Sequence, residues 1–123
     1  MRIVITGSPM AGKTTMAGVV SRIMEIPVDH TDDYKDLEWS EASNAVSLLL
    51  ERAQNWIIEG VTIPRALRKW RMRYPESQPP FDWFIIMPYP RQFLGGGQET
   101  MRKQVIGLAQ TMREWIGPRW IEL

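Results

Sequence analysis

A β-branched apolar run, Ile3-Val4-Ile5-Thr6, opens without a spacer into Gly7-Ser8-Pro9-Met10-Ala11-Gly12-Lys13-Thr14-Thr15. Few features restrict a fold more, because Gly-x-x-x-x-Gly-Lys-Thr needs a strand before it and a helix after it to work. Gly7 and Gly12 allow backbone angles that a Cβ would block, so successive N–H groups can turn inward onto an anion. Lys13 supplies a point charge, and the Thr14 hydroxyl is a ligand for Mg²⁺. The helix beginning near Lys13 adds its positive end. Gly7 to Thr15 therefore reads as a cradle for the phosphates of a nucleotide.

The remaining chain is organised as strands and helices in alternation. Arg2–Thr6 has no polar alternation, as expected of a strand buried on both faces. A helix from Lys13 to about Met24 turns Met16, Val20 and Ile23 inward, and Pro27 ends it. Val28 starts a short strand that runs into His30-Thr31-Asp32-Asp33-Tyr34. Ser40 is the expected N-cap of a second helix reaching Gln54, with Ala42, Val46, Leu49, Leu50 and Ala53 at helical spacing. Trp56–Gly60 is a third strand closed by Glu59, and Pro64 fits the first turn of a third helix. Asp82–Met87 is a fourth strand. Gly95-Gly96-Gly97 is expected to be a mobile segment before a helix carrying Met101, Val105, Leu108, Met112 and Trp115. Arg119–Leu123 is a candidate edge strand.

In an open α/β sheet, ligands bind at the carboxyl ends of the strands. Asp32 follows the second strand and Glu59 closes the third, so both belong on the edge that carries the cradle. A carboxylate there can take a proton from an attacking hydroxyl or hold Mg²⁺ through water. His30, the only histidine, reads as a hydrogen-bond partner in the loop. Arg65, Arg68, Lys69, Arg71 and Arg73 crowd five cations into nine positions; most belong to a solvated helix face, but Arg65 lies just past the Glu59-Gly60 turn, close to where an acceptor would sit.

Composition excludes several classes. With no cysteine, disulfides, thiolate zinc sites and thiol catalysis are out. A net charge of +1 counts against bulk nucleic-acid binding. No apolar run is long enough to span a bilayer, and the N-terminus enters a strand without a leader pattern. One domain over residues 1–123, cytoplasmic, monomeric or homodimeric, is the expectation. The six tryptophans are expected to anchor the core.

With these residues in view, the sequence resembles the P-loop small-molecule kinases, the adenylate, shikimate and uridine kinase group. Asp32-Asp33-Tyr34 is similar to the Asp-x-[Phe/Tyr]-Tyr segment of the uridine kinase type, and Thr31-Asp32 to the second half of the Asp-Ser-Asp turn of the shikimate kinase type. Ile57-Ile58-Glu59-Gly60 with Pro64-Arg65 resembles the Asp-Gly-Phe-Pro-Arg turn of adenylate kinases, with two residues intervening. The resemblance implies a three-layer α/β P-loop NTPase fold, a parallel sheet in the order 2-3-1-4-5 and a minimal lid. It further implies transfer of the γ-phosphoryl group of Mg²⁺-ATP to a small acceptor, a nucleoside or nucleotide being favoured. Lys13 with the loop amides would hold the phosphates; Thr14, Asp32 and Glu59 would serve the metal; Asp32 would act as base. Asp32, Asp33, Glu59, Arg65 and Arg68 would face the acceptor, and Arg102, or Arg91, would close over the transferring group. The chain departs from the group by ending at Leu123 without the usual last helix. Two other readings stay open: a slow ATP-binding module in an assembly, and a nucleic-acid end-processing kinase. Leu94-Gly95-Gly96-Gly97-Gln98 differs at one position from the ABC ATPase signature but lacks the strand and Asp that must follow it. No guanine-reading Asn-Lys-x-Asp occurs.

Overall fold

The computed structural model describes residues 1–123. Five strands, β1 (Arg2–Gly7), β2 (Val28–His30), β3 (Trp56–Glu59), β4 (Trp83–Met87) and β5 (Trp120–Glu122), form one sheet. It is parallel throughout, in the order β2-β3-β1-β4-β5. The central position of β1 explains its unbroken apolar run, since a strand with neighbours on both sides and helices on both faces has no polar side to offer.

Alternation along the strands sorts the core into two layers. Val4, Trp56, Ile58, Phe84 and Ile86 point to one face, while Ile3, Ile5, Ile57 and Met87 point to the other. The first face is covered by α2 (Trp39–Leu49), α3 (Ile63–Arg73), α4 (Gly96–Thr111) and the single-turn α5 (Arg113–Ile116). The second is covered by α1 (Lys13–Met24), chiefly through Ala17, Met16 and Val20.

Several boundaries differ from the expectations. Ile23 is 77% exposed; α1 turns Ala17 to the sheet instead, and a small residue there brings helix and sheet close together. Helix α2 begins at Trp39 with Glu38 as N-cap, and it stops at Leu49, so Ser40 lies inside the first turn and Gln54 beyond the end. Gly96 and Gly97 are the first turn of α4. Gln98 stabilises that turn, its Oε1 accepting from the Gly95 N–H at 3.4 Å. Only Trp56 and Trp70 are core tryptophans; Trp39 and Trp83 are about two-fifths exposed. Trp115 and Trp120 are half-buried, lying under the guanidinium groups of Arg71 and Arg113.

Candidate active site

The carboxyl ends of β1, β2 and β3 open into a cavity of about 500 Å³. It exists because β1 ends on Gly7. With φ at 141°, Gly7 carries the chain so close to β4 that an added Cβ would lie 2.1 Å from the Met87 carbonyl oxygen. The next amide, of Ser8, donates to that same oxygen at 2.9 Å, so the Ser8 N–H belongs to the sheet edge and is not among those free for a phosphate. Gly7→Ala is expected to lower stability by more than about 3 kcal/mol, adding a strained φ to a backbone clash. A fall in the urea midpoint at unchanged slope checks it.

Beyond Ser8 the loop reverses through Met10 (φ 60°) and Gly12 (φ 91°), and α1 starts at Lys13. Ala11 is buried against the core, whereas Pro9, Met10, Gly12, Thr14 and Thr15 face the cavity. The Lys13 ammonium donates to the Ser8 carbonyl oxygen at 2.5 Å, which leaves two of its three N–H donors for a ligand. Burial pushes its pKa below the ordinary 10.5, partly opposed by the negative charges of Glu59 and Asp32. Those carboxylates are therefore close enough to Lys13 to be felt electrostatically.

Glu59 is only 3% exposed, yet it borders the cavity. Its Oε1 accepts from the Thr14 hydroxyl at 3.2 Å and sits 2.7 Å from His30 Nδ1. Asp32 lines the same cavity from the 3₁₀ turn Thr31–Tyr34. The Gly7–Thr15 loop, the Thr14 hydroxyl and two carboxylates thus share one space.

The remaining candidates lie elsewhere. Asp33 is exposed and outside the lining. Arg65 and Arg68 border an adjacent cavity of about 280 Å³, which shares Trp39, Val61 and Met101 with the first. The Arg65 guanidinium lies over the Trp39 ring at 5.3 Å, and its buried Nε has no hydrogen-bond partner. Neither arginine pairs with a carboxylate. Arg102 donates from Nε to the Pro88 carbonyl oxygen at 2.8 Å and from Nη1 to Glu99 at 3.4 Å, so it does not reach the cavity wall. Arg91 packs against the loop: its backbone N–H donates to Met10 at 2.8 Å, and its guanidinium lies where a Cβ on Gly12 would be. Trp39 was not singled out from the sequence. The available signal was its place three residues before Ala42, at the start of the helix that follows the acidic turn.

No family model matches the chain, and no curated protein matches its sequence. Among solved structures it superposes on a shikimate kinase from Bacteroides thetaiotaomicron with a TM-score of 0.57 at 15% identity, over 99% of this chain and 85% of that one. The fold is that of the P-loop small-molecule kinases. A gluconokinase from Sinorhizobium meliloti 1021 gives a TM-score of 0.53 at 18% identity, over 99% of this chain and 81% of that one. At these identities the P-loop kinase likeness is one of fold. No helix is long and apolar enough to cross a membrane.

Proposed function

We propose that the chain is a phosphotransferase that moves the γ-phosphoryl group of ATP, with Mg²⁺, to a small acceptor, a nucleoside or nucleotide being favoured. The observation that carries this reading is the convergence of Lys13, Thr14, Asp32 and Glu59 on one cavity. Both solved neighbours named above are kinases, which supports a kinase in general and leaves the acceptor to be argued from this chain.

The donor set suits Mg²⁺. One hydroxyl and one carboxylate stand 3.2 Å apart, and no group of three acidic or histidine side chains forms a cage of its own. Mg²⁺ is held in just this way, by one or two protein oxygens, substrate phosphates and retained water. Thr14 and Glu59 would hold it, with Asp32 facing the same space; bound there, it neutralises charge on the phosphate oxygens. The loop amides and Lys13 fix the outer phosphates. Asp32 orients the acceptor hydroxyl and takes its proton as the acceptor oxygen bonds to the γ-phosphorus and the bond to the β–γ bridging oxygen breaks. Arg65 and Arg68 clamp any anionic group the acceptor brings into the adjacent cavity. Lys69, one residue on, is held below its usual pKa by desolvation and by the charges of Arg65 and Arg68, which supports a local excess of cation.

The test is ADP formation from ATP and Mg²⁺ with a matched panel of nucleosides, their monophosphates, sugars and sugar acids. Should no acceptor raise turnover above that of Lys13→Ala, the proposal fails. With a monophosphate acceptor, Arg68→Met is expected to raise the acceptor KM about 10- to 100-fold, as for the loss of one charged hydrogen bond, and to leave the KM of the matching nucleoside unchanged.

A second reading, an ATP-binding module with slow turnover, draws on one observation: the cavity wall contains no arginine. Tight ATP binding without acceptor-dependent ADP formation would favour it.

A further inference from the structure

We propose that His30 is a positioning residue for Glu59, locking the carboxylate in the one orientation that leaves its second oxygen for the hydrated divalent cation. This rests on the reading above, in which Glu59 serves the metal.

The register brings the two residues together. His30 and Glu59 are each the last residue of a strand and are paired across β2 and β3. On its other side Glu59 is paired with Ile5 of β1, two residues before Gly7. Side chains at paired positions of neighbouring parallel strands project to the same face, so the carboxylate stands between the imidazole and the phosphate loop.

The hydrogen bonds then choose its orientation. Thr14 Oγ1 and His30 Nδ1 both reach Oε1, at 3.2 and 2.7 Å, and no protein group donates to Oε2. A carboxylate oxygen accepts, which assigns the donor role in this contact to the ring Nδ1–H. Two donors on one oxygen remove the rotational freedom that an otherwise unheld glutamate would have to lose on binding metal. Thr14 does not do this alone, because a single donor leaves the carboxylate free to turn about that contact, and its 3.2 Å bond is the longer of the two. The imidazole supplies the second, shorter contact.

Core packing does not account for this histidine. Its side chain is 38% exposed, and its one polar contact is the buried carboxylate. It also immediately precedes the turn that bears Asp32, so the residue fixing the metal-side carboxylate is joined to the segment presenting the acceptor-side one. Orientation of a metal-serving group by a neighbouring hydrogen bond is commonly worth 10- to 100-fold in affinity or activity.

The probe is Mn²⁺ with ADP, followed by electron paramagnetic resonance on the full chain, comparing wild type with His30→Leu and His30→Asn. The asparagine amide N–H can occupy the position of the ring Nδ1–H; leucine offers no donor. His30→Leu is expected to weaken ADP-dependent Mn²⁺ binding about 10-fold, whereas His30→Asn stays within about threefold of wild type. ADP binding without metal should be equal in all three. Where acceptor turnover is measurable, excess Mn²⁺ should restore kcat in His30→Leu, which a merely structural defect would not allow. Wild-type Mn²⁺ affinity in His30→Leu, or a loss in His30→Asn as large as in His30→Leu, overturns the inference and leaves the kinase reading standing. If the wild type takes up no Mn²⁺ with ADP, the reading of the site is overturned together with it.

Discussion

Lys13→Met is expected to reduce turnover about 10²- to 10³-fold, the usual effect of removing one preorganised donor from a site of developing charge, and at the same time to leave the ligand-free protein as stable as wild type or more so. The two effects have one cause. Burial holds the Lys13 pKa below 10.5, so the folded chain binds this proton less well than the unfolded one. The sign follows from linkage: the charged lysine costs stability in full below its folded pKa, and the cost fades as pH rises from there to 10.5. The hydrogen bond to the Ser8 carbonyl oxygen offsets part of it. Thermal melts of both proteins at neutral pH should therefore favour Met or show no difference, with the gap closing toward alkaline pH. Adding ATP at about 100 times its Kd should stabilise the wild type by about 2.7 kcal/mol and the variant hardly at all. A variant that melts well below wild type and still gains from ATP would contradict the role given to Lys13.

Asp32→Asn is the second large effect. With an acceptor whose hydroxyl is phosphorylated, kcat should fall about 10²- to 10⁴-fold, the range for loss of a general base. ATP binding should be nearly unchanged, because Asp32 reaches the cavity from its own turn and makes no hydrogen bond to the phosphate loop. With a monophosphate acceptor no proton needs removing, and the same substitution should cost less than about 10-fold. Single-turnover rates with paired nucleoside and monophosphate acceptors separate the cases. An equal loss with both would assign Asp32 to binding or to the metal.

What could be read from the residues followed from how local the signals were. The strand-loop-helix around Gly7–Lys13 was legible because its glycines, lysine and apolar run are contiguous. The parallel order of the sheet followed from resemblance, and the unbroken apolar character of Ile3–Ile5 and Ile57–Ile58 agrees with it. Glu59 and Asp32 could be placed on the working edge because strand ends are readable. The contact between His30 and Glu59 was not, since it depends on strand register across 29 positions. Ile23 misled because apolar spacing on a short helix does not say which of two adjacent stripes meets the sheet; Ala17, small and uninformative in a periodicity, decided it. Gly96 and Gly97 misled for the opposite reason, because glycine's poor helix propensity was outweighed by the tertiary packing of Val105 and Ala109 further along α4. Trp39 gave no composition signal that separated it from the buried Trp56 and Trp70.

The contacts of Ser8 with Met87 and of Met10 with Arg91 carry an implication for the order in which the protein becomes competent. The cradle sequence is made before the partners that hold it: two of its backbone groups bond to residues about eighty positions later, and β1 has its full set of partners only after β3 and β4 exist. Parallel pairings of this sequence separation form late, since chain closure must precede their reward. Nucleotide affinity should therefore be absent from nascent chains shorter than β4 and appear abruptly once Arg91 has emerged. That would make ATP a ligand that selects finished molecules.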